Sequence, residues 1–435
     1  MSGSLLTEWR NQIENHLRDK LLPFWLERSQ DSRYGGFLTH FDKDGKDSGE
    51  DEKSLIAQSR SVYSFASAYR SGYGERCREL ADHGAEYLLT RMWDEKHGGF
   101  YWMTDRKGEV TRDDKILYGQ SFAIYSLSEY TLATGNPIGR QYAERTFDLL
   151  QKHATDTMYG GYFEMFDREW NLAGPGSKGG DRKTLDVHMH LMEAYTTLFE
   201  CTRLPLHRRK LLEDIEVLMR RLLHPTHATG IPQFTVDWRP TRQIKFDIVW
   251  GWDRFKPEGI KANPMDNTSY GHNVELAWLL MHALDVLGSD DAPYREQVHK
   301  MLDHAVSHGI DWEYGGVYVE GSHNGPARDL EKEFWQQCEV MIGMIDAYLR
   351  YGDDRYLAAY EAVHRFLFTK GINFQTGELW PLLTREGVPI WTHTSHSWKI
   401  NYHSVRAMIQ CRKKLDQAIA AAKGEGWRGQ GAVKG

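Results

Sequence analysis

Cysteine is scarce in this chain of 435 residues, which contains four of them. Cys77, Cys201, Cys338 and Cys411 fall within helical patterns, and none belongs to a C-x-x-C pair. A disulfide framework and a cysteine-based metal site are therefore not expected. Reduced thiols, together with a polar, amphipathic N-terminus that lacks the features of a signal sequence, favour a cytoplasmic protein.

Long hydrophobic runs and patches of one charge are also missing. No apolar stretch approaches the ~20 residues needed to cross a bilayer. The net charge of −7 is distributed along the chain, and there is no basic stripe that could neutralise nucleic-acid phosphates. We therefore expect a small-molecule ligand rather than a membrane or a nucleic acid. The sequence leaves open whether the protein is a homodimer.

Several catalytic signatures are absent as well. The chain has no H-E-x-x-H motif, no G-x-S-x-G motif and no glycine-rich phosphate-binding loop, which argues against the enzyme classes that depend on them. A zinc site formed by His190, His272 and His403 stays open as a minor alternative. The sequence therefore predicts a site with neither a metal nor an organic cofactor.

What the chain does contain is a glycine–aromatic motif that recurs along its length. Clear copies include Gly35-Gly36-Phe37, Gly98-Gly99-Phe100, Gly160-Gly161-Tyr162 and Gly315-Gly316-Val317, and weaker copies contain Gly230 and Gly377. Successive copies are about 60–70 residues apart, with one longer interval of about 85 residues. A repeat of this length accommodates two helices and a tight hairpin, and six such units can close a ring.

Apolar residues at helical spacing fill the intervals between these motifs. We therefore predict an all-α fold, an (α/α)6 barrel in which even-numbered helices form an inner ring and odd-numbered helices an outer ring. Short β-hairpin connections that carry the motif would lie at one rim. Residues 1–420 are expected to form a single catalytic domain and 421–435 a disordered tail. The twelve predicted helices are 4–28, 54–71, 76–92, 115–134, 138–154, 184–202, 207–223, 270–288, 293–309, 330–351, 355–369 and 398–420.

One connection between predicted helices is much longer than the others. It covers residues 239–268 and includes Trp250, Trp252 and Phe255. Long connections in compact domains are usually functional or disordered, and the aromatic residues favour a packed segment. We therefore expect an inserted, lid-like loop at the mouth of the barrel.

Polar residues suited to acid–base chemistry lie at the start of the even-numbered helices. A single residue of this kind is more often a helix cap or a buried structural group. An imidazole titrates near neutral pH, and two imidazoles on opposite faces of a substrate can invert a carbon beside a carbonyl group. Six such residues should occupy equivalent positions and converge in one funnel: Arg60, Gln120, His190, His272, Glu339 and His403.

Six segments of the chain resemble the N-acylglucosamine 2-epimerase superfamily, and within it the cellobiose 2-epimerases. The resemblance implies an (α/α)6 barrel and a cofactor-independent epimerase or isomerase that acts at the reducing end of a sugar. The matching segments lie in order along the chain: Gln58-Ser59-Arg60, Tyr118-Gly119-Gln120, His188-Met189-His190, Gly271-His272-Asn273-Val274-Glu275, Trp335-Gln336-Gln337-Cys338-Glu339, and Trp398-Lys399 followed by Tyr402-His403.

The resemblance also implies roles for individual residues. His272 and His403 would exchange the C2 proton through an enediolate-like intermediate, and His190 would assist ring opening. Arg60 would stabilise charge on the sugar oxygens. Glu275 and Glu339 would orient imidazoles. The residues expected to bind substrate are Tyr118, Gln120, Asp186, His188, Trp335 and Trp398.

Two departures from the cellobiose 2-epimerases bear on the substrate. Asp186 stands where those enzymes carry asparagine, and the connection at 239–268 is longer than theirs. Both departures favour a monosaccharide, so we predict 2-epimerisation that interconverts D-mannose and D-glucose. The alternatives are 2-epimerisation of cellobiose, isomerisation of mannose to fructose, glycoside hydrolysis by Glu275 with Glu339 or Asp186, and a non-catalytic scaffold.

Overall fold

The computed structural model describes residues 3–244, 246–247 and 265–424. Within them the chain forms twelve helical segments, as the sequence predicts. Most of the predicted lid at 239–268, and most of the predicted tail at 421–435, lie outside the described residues. The helices are α1 (Gly3–His16, a π-helical turn at Leu17–Leu21, and Leu22–Arg28), α2 (Leu55–Arg70), α3 (Glu75–Tyr87 and a π-helical turn at Leu88–Met92), α4 (Leu117–Thr134), α5 (Pro137–His153), α6 (Leu185–Thr202), α7 (Pro205–Arg221), α8 (Tyr270–Leu287), α9 (Arg295–His304 and a π-helical turn at Ala305–Gly309), α10 (Phe334–Tyr351), α11 (Asp354–Phe366 and a π-helical turn at Leu367–Gly371) and α12 (Tyr402–Ala422).

The even-numbered helices form a closed inner ring. They contact one another in the order α2, α4, α6, α8, α10 and α12, and α12 in turn contacts α2. Each odd-numbered helix packs on the outside against an inner helix, with α1 against α12. This arrangement is the predicted (α/α)6 barrel. In the described part of the chain, no helix combines the length and the apolar character needed to cross a membrane.

The connections that enter the inner helices carry short antiparallel strands. A strand directly before an inner helix pairs with a strand from the next connection, which places the hairpins together at the N-terminal ends of the inner helices. The five sheets are β1 (Glu52–Ser54), β2 (Met103–Asp105) and β3 (Val110–Arg112); β4 (Lys115–Ile116) and β5 (Met165–Phe166); β6 (Arg182–Thr184) and β7 (Gln233–Thr235); β8 (Thr268–Ser269), β9 (Glu320–Gly321) and β10 (Ala327–Asp329); and β11 (Lys332–Glu333), β12 (Leu382–Leu383) and β13 (Pro389–Trp391).

Buried lysines fasten the glycine motifs to these strands. In the first motif the N–H of Gly35 donates to the carbonyl of Asp31, and both Gly35 and Gly36 adopt positive φ. The Nζ of Lys53, in β1, donates to the Asp31 carboxylate at 2.9 Å, and both side chains are buried. Each buried ion pair of this kind ties one glycine turn to the start of the inner helix that follows it. Equivalent pairs join Lys115 to Asp94, Lys183 to Asp156 and Lys332 to Asp311.

The fourth residue of an inner helix provides a second fastening. The amide of Gln120 accepts from the N–H of Phe100 at 2.9 Å and donates to its carbonyl at 2.8 Å. His188 Nε2 accepts from the N–H of Tyr162 at 3.1 Å. The same bonding to hairpin backbone is made by Gln58, Asn273 and Gln337.

This register corrects one expectation from the sequence. Arg60 and His190 are the sixth residues of α2 and α6, whereas Gln120 and His188 are fourth residues. The predicted equivalence of the six funnel residues therefore holds for Arg60, His190 and Glu339 but is wrong by two residues for Gln120. It is also wrong for His272 and His403, which are the third residue of α8 and the second residue of α12. The side chains of Gln120 and His188 bond to the backbone of the hairpins, so both residues have a structural role.

Replacing Asp94 by alanine tests the fastening of the turns. The change leaves Lys115 buried without its partner, and breaking a buried ion pair costs about 3–5 kcal/mol of unfolding free energy. Denaturant unfolding should show that loss. In contrast, Glu95→Ala, at an exposed position of the same turn, should change the unfolding free energy by less than about 0.5 kcal/mol. Equal stability of the two variants would contradict the role of the pair.

Candidate active site

Polar side chains from the inner helices meet inside the barrel, below the hairpins. Arg60 comes from α2, His190 from α6, Glu275 from α8 and Glu339 from α10, each as the sixth residue of its helix. The helix register therefore explains why these groups lie at one level. The corresponding residue of α4 is Phe122, and α12 contributes His403 and Arg406.

His403 is bound to a carboxylate through one ring nitrogen. Its Nδ1–H donates to Glu339 Oε1 at 2.6 Å, and its side chain is only 6% exposed. Burial, followed by the positive charges of Arg60 and Arg406, lowers the pKa of His403 well below its usual range. The imidazole is therefore neutral near pH 7, and its Nε2 has the free lone pair that a general base requires.

His190 is held in the same way by a residue that the sequence analysis did not assign. Its Nδ1–H donates to Glu193 Oε2 at 2.9 Å, and burial lowers the pKa of His190. Burial opposes ionisation of Glu193, but the charge of Arg406 and several hydrogen bonds lower its pKa to about 2. The i, i+3 spacing of His190 and Glu193 on one helix was the available signal.

Arg406 is the centre of the buried charges. Its guanidinium, 1% exposed, donates to Glu193, to Glu339 at 2.7 Å and to Glu275 at 3.1 Å. Glu275 therefore bonds to Arg406 and not to an imidazole, which differs from the role implied for it. Burial, and then the nearby charge of Glu339, raise the pKa of Glu275 well above its usual value.

This donor set fits an ion-pair network better than a metal site. Among the described residues, the one group with ligand atoms close enough to share an ion is Glu275, Glu339 and His403, within 4.8 Å of one another. The guanidinium of Arg406 already bonds to both carboxylates of that group. The zinc site considered for His190, His272 and His403 is not among such groups in the described chain.

Arg60 and aromatic rings form one wall of the interior. The guanidinium donates to the Tyr118 hydroxyl at 3.1 Å and to the Trp398 carbonyl at 3.0 Å. Tyr118 and Trp398 are stacked with ring centroids 5.0 Å apart, and the Phe122 ring centroid is 4.5 Å from the Arg60 guanidinium carbon. A cation beside flat rings suits a ligand with both polar oxygens and apolar C–H faces.

His272 occupies a more open position than the other two histidines. Its side chain is 24% exposed, and its Nε2 lies 3.4 Å from Asp186 Oδ1. The Trp335 ring is 4.5 Å from the His272 ring and 5.9 Å from the His403 ring, measured between centroids. The indole therefore packs near both of the imidazoles predicted to exchange the C2 proton.

The structure brings most of the predicted site residues into contact with one another. Gln120 and His188 are the exceptions, because their polar atoms bond to the hairpins. The sequence analysis missed Glu193, Arg406 and Tyr402, whose hydroxyl donates to Glu193 at 2.9 Å. Glu193 and Arg406 lie further along their helices, where a charged residue in an apolar pattern was the remaining signal.

Known proteins resemble this chain over nearly its whole length. The model of the N-acylglucosamine 2-epimerase (GlcNAc 2-epimerase) family matches residues 35–407. A cellobiose 2-epimerase of Bacteroides fragilis is 28% identical over 417 residues, which cover 92% of this chain and 98% of that protein. A D-mannose isomerase of Marinomonas mediterranea is 25% identical over 411 residues, with 93% and 97% covered.

A solved structure shows the same architecture. The cellobiose 2-epimerase from Bacillus thermoamylovorans superposes with a TM-score of 0.84 at 26% identity, covering 94% of this chain and 100% of that one. The barrel fold and the carboxylate-bound imidazoles are consistent with the family match across residues 35–407. This chain therefore belongs to the N-acylglucosamine 2-epimerase family and is an isomerase that acts on carbohydrates.

Proposed function

We propose that this protein interconverts D-mannose and D-glucose by 2-epimerisation of the open-chain sugar. The observation that carries the proposal is that two imidazoles, His272 and His403, both lie close to the ring of Trp335. One histidine removes the C2 proton and the other returns a proton to the opposite face. The reaction moves a proton and needs no oxidant, which agrees with a site built from acidic and basic side chains and the guanidinium of Arg60.

The Arg60 wall supplies the electrostatic part of the reaction. When the C2–H bond breaks, its electron pair forms the C1–C2 double bond and negative charge moves to the carbonyl oxygen. A fixed guanidinium in a buried site stabilises such charge without reorganisation. Arg60 is held in place by its bonds to the Tyr118 hydroxyl and the Trp398 carbonyl. His190, whose ring lies 5.1 Å from that of Tyr118, is placed to assist ring opening.

Asp186 supports a monosaccharide substrate. Its carboxylate is partly exposed and lies beside His272, where it can bind a hydroxyl group that an asparagine would bind differently. Cellobiose remains the second candidate, favoured by the similarity to cellobiose 2-epimerases. Isomerisation to fructose is the third, favoured by the similarity to a D-mannose isomerase. Glycoside hydrolysis is disfavoured because Glu275 and Glu339 bond to one guanidinium rather than facing each other across a sugar.

Proton exchange with solvent tests the reaction directly. The protein incubated with mannose in deuterated water, without added metal or nucleotide, should produce glucose that carries deuterium at C2, detected by NMR. Fructose as the main product would favour the isomerase, and turnover of cellobiose but not mannose would favour the disaccharide. No reaction with any of these sugars would contradict the proposal.

The two proposed acid–base histidines can be tested by replacement. His272→Ala and His403→Ala should each lower kcat by a factor of about 10² or more, because each variant lacks one proton-transfer group. Circular dichroism should show that both remain folded. His308→Ala, on the outer helix α9, is the matched control and should retain wild-type kcat. Near-normal turnover in either test variant would remove that histidine from the mechanism.

Asp186→Asn tests the choice of substrate. If the carboxylate favours a monosaccharide, the ratio of kcat/KM for mannose to kcat/KM for cellobiose should fall by about tenfold, which corresponds to about 1.4 kcal/mol of discrimination. Asp148→Asn, at an exposed position of α5, is the control and should leave the ratio unchanged. An unchanged ratio in Asp186→Asn would mean that other residues select the sugar.

A further inference from the structure

Two of the imidazoles in the site are joined through a single side chain. His190 donates to Glu193, and His403 donates to Glu339. The guanidinium of Arg406 donates to both carboxylates, through Nη1 to Glu193 and through Nη2 to Glu339. The two terminal nitrogens of Arg406 therefore link a histidine–carboxylate pair on α6 with a second pair between α10 and α12.

All of these groups are withdrawn from water. Arg406, Glu193 and Glu339 are at most 4% exposed, and so is Glu275, the third carboxylate on the guanidinium. A buried carboxylate needs a charged or hydrogen-bonding partner. No water can replace the guanidinium without leaving three carboxylates close together. The position of each carboxylate, and therefore of each imidazole, depends on Arg406.

We propose that Arg406 is a positioning residue that couples the two pairs, so that His190 and His403 are both held neutral with Nε2 free for the substrate. This inference rests on the proposed proton-transfer function. Arg406 does not reach the substrate itself, because its side chain is occupied by carboxylates and covered by rings of Trp278 and Tyr402. It acts through Glu193 and Glu339.

The surrounding charges explain the direction of the coupling. Besides burial, the positive charges of Arg60 and Arg406 and the nearby His190 lower the pKa of His403. Removing the charge of Arg406 should therefore raise the pKa of His403, so that the base becomes protonated, and inactive, at a higher pH. The titratable and charged groups that face the two imidazoles are Arg60 from α2, Tyr118 from α4, Asp186 and Glu193 from α6, Glu275 from α8, Glu339 from α10, and Tyr402 and Arg406 from α12.

Lysine is a conservative replacement for Arg406 because it keeps the positive charge but lacks the two terminal nitrogens that bond to separate carboxylates. A single ammonium group is a point charge and cannot reproduce the planar geometry with which Arg406 holds two carboxylates at once. Arg350 offers a matched control, since it also bridges carboxylates on two inner helices, Asp346 at 2.7 Å and Asp285 at 3.1 Å. These bonds lie at the C-terminal ends of α8 and α10, at the opposite end of the barrel from the candidate site.

The experiment compares Arg406→Lys and Arg406→Met with Arg350→Lys in the full-length protein. Arg406→Lys should lower kcat by at least about tenfold with KM changed by less than about threefold. The acid limb of its kcat/KM profile should also move to higher pH, because a carboxylate that loses its bond to Arg406 leaves its negative charge unneutralised beside an imidazole. Arg406→Met should move that limb further, by about one pH unit if it folds, because it also removes the charge. Arg350→Lys should keep the wild-type kcat and pH profile.

A measurement without turnover separates this inference from the proposed function. NMR of protein labelled with 15N-histidine should show His190 and His403 as neutral imidazoles with protonated Nδ1 at pH 7 in the wild type and in Arg350→Lys. Arg406→Lys should change both sets of signals together. If the wild type exchanges no C2 proton, the proposed function fails while this measurement still decides the coupling. Unchanged histidine signals, or unchanged kcat and pH profile in Arg406→Lys, would overturn the inference.

Discussion

The buried lysine–aspartate pairs are the constraint on which the rest of the structure depends. A ring of six inner helices brings their starts together, but a shared site also requires each start to be held at a fixed height. At four of the six inner helices a lysine does this from the strand that enters the helix, by bonding to the aspartate of the adjacent glycine turn. The fourth helical side chain is then fastened to the hairpin, and the sixth faces the common interior.

The chemistry follows from how charge is distributed across that interior. The carboxylates of Glu193 and Glu339 lie behind His190 and His403 and accept from the Nδ1–H group of each imidazole. Arg60 lies on the aromatic wall among Tyr118, Phe122 and Trp398. Under the proposed function, negative charge that develops on a sugar oxygen would be stabilised by the guanidinium of Arg60. The cation lies on the aromatic wall, and the carboxylates lie behind the two imidazoles.

Much of the fold was accessible from the sequence because the repeat is long, regular and marked by glycine pairs. The twelve helices and the hairpin rim follow from that period. The register within each helix did not, because it depends on side-chain bonds from Gln120 and His188 to the hairpin that precedes each helix. Arg406 was missed because its carboxylate partners come from other inner helices, whereas Glu193 had a local signal in its i, i+3 spacing from His190. His190, His403 and Glu339 were found because they recur near the starts of the even-numbered helices, and the resemblance then supplied their implied roles.

The separate fastening of each hairpin has a consequence for how this barrel can be altered. Since five of the six turns are anchored to their own helix starts by a fourth-residue side chain, the segments between the anchors can differ in length without displacing the groups below them. The short β2–β3 hairpin and the long connection that includes residues 239–247 already differ in this way. Loops at the rim can therefore be exchanged between relatives as independent cassettes. Under the proposed function, the rim would select the sugar and the layer below it would move the proton, so that grafting loops between relatives becomes a route to changed specificity.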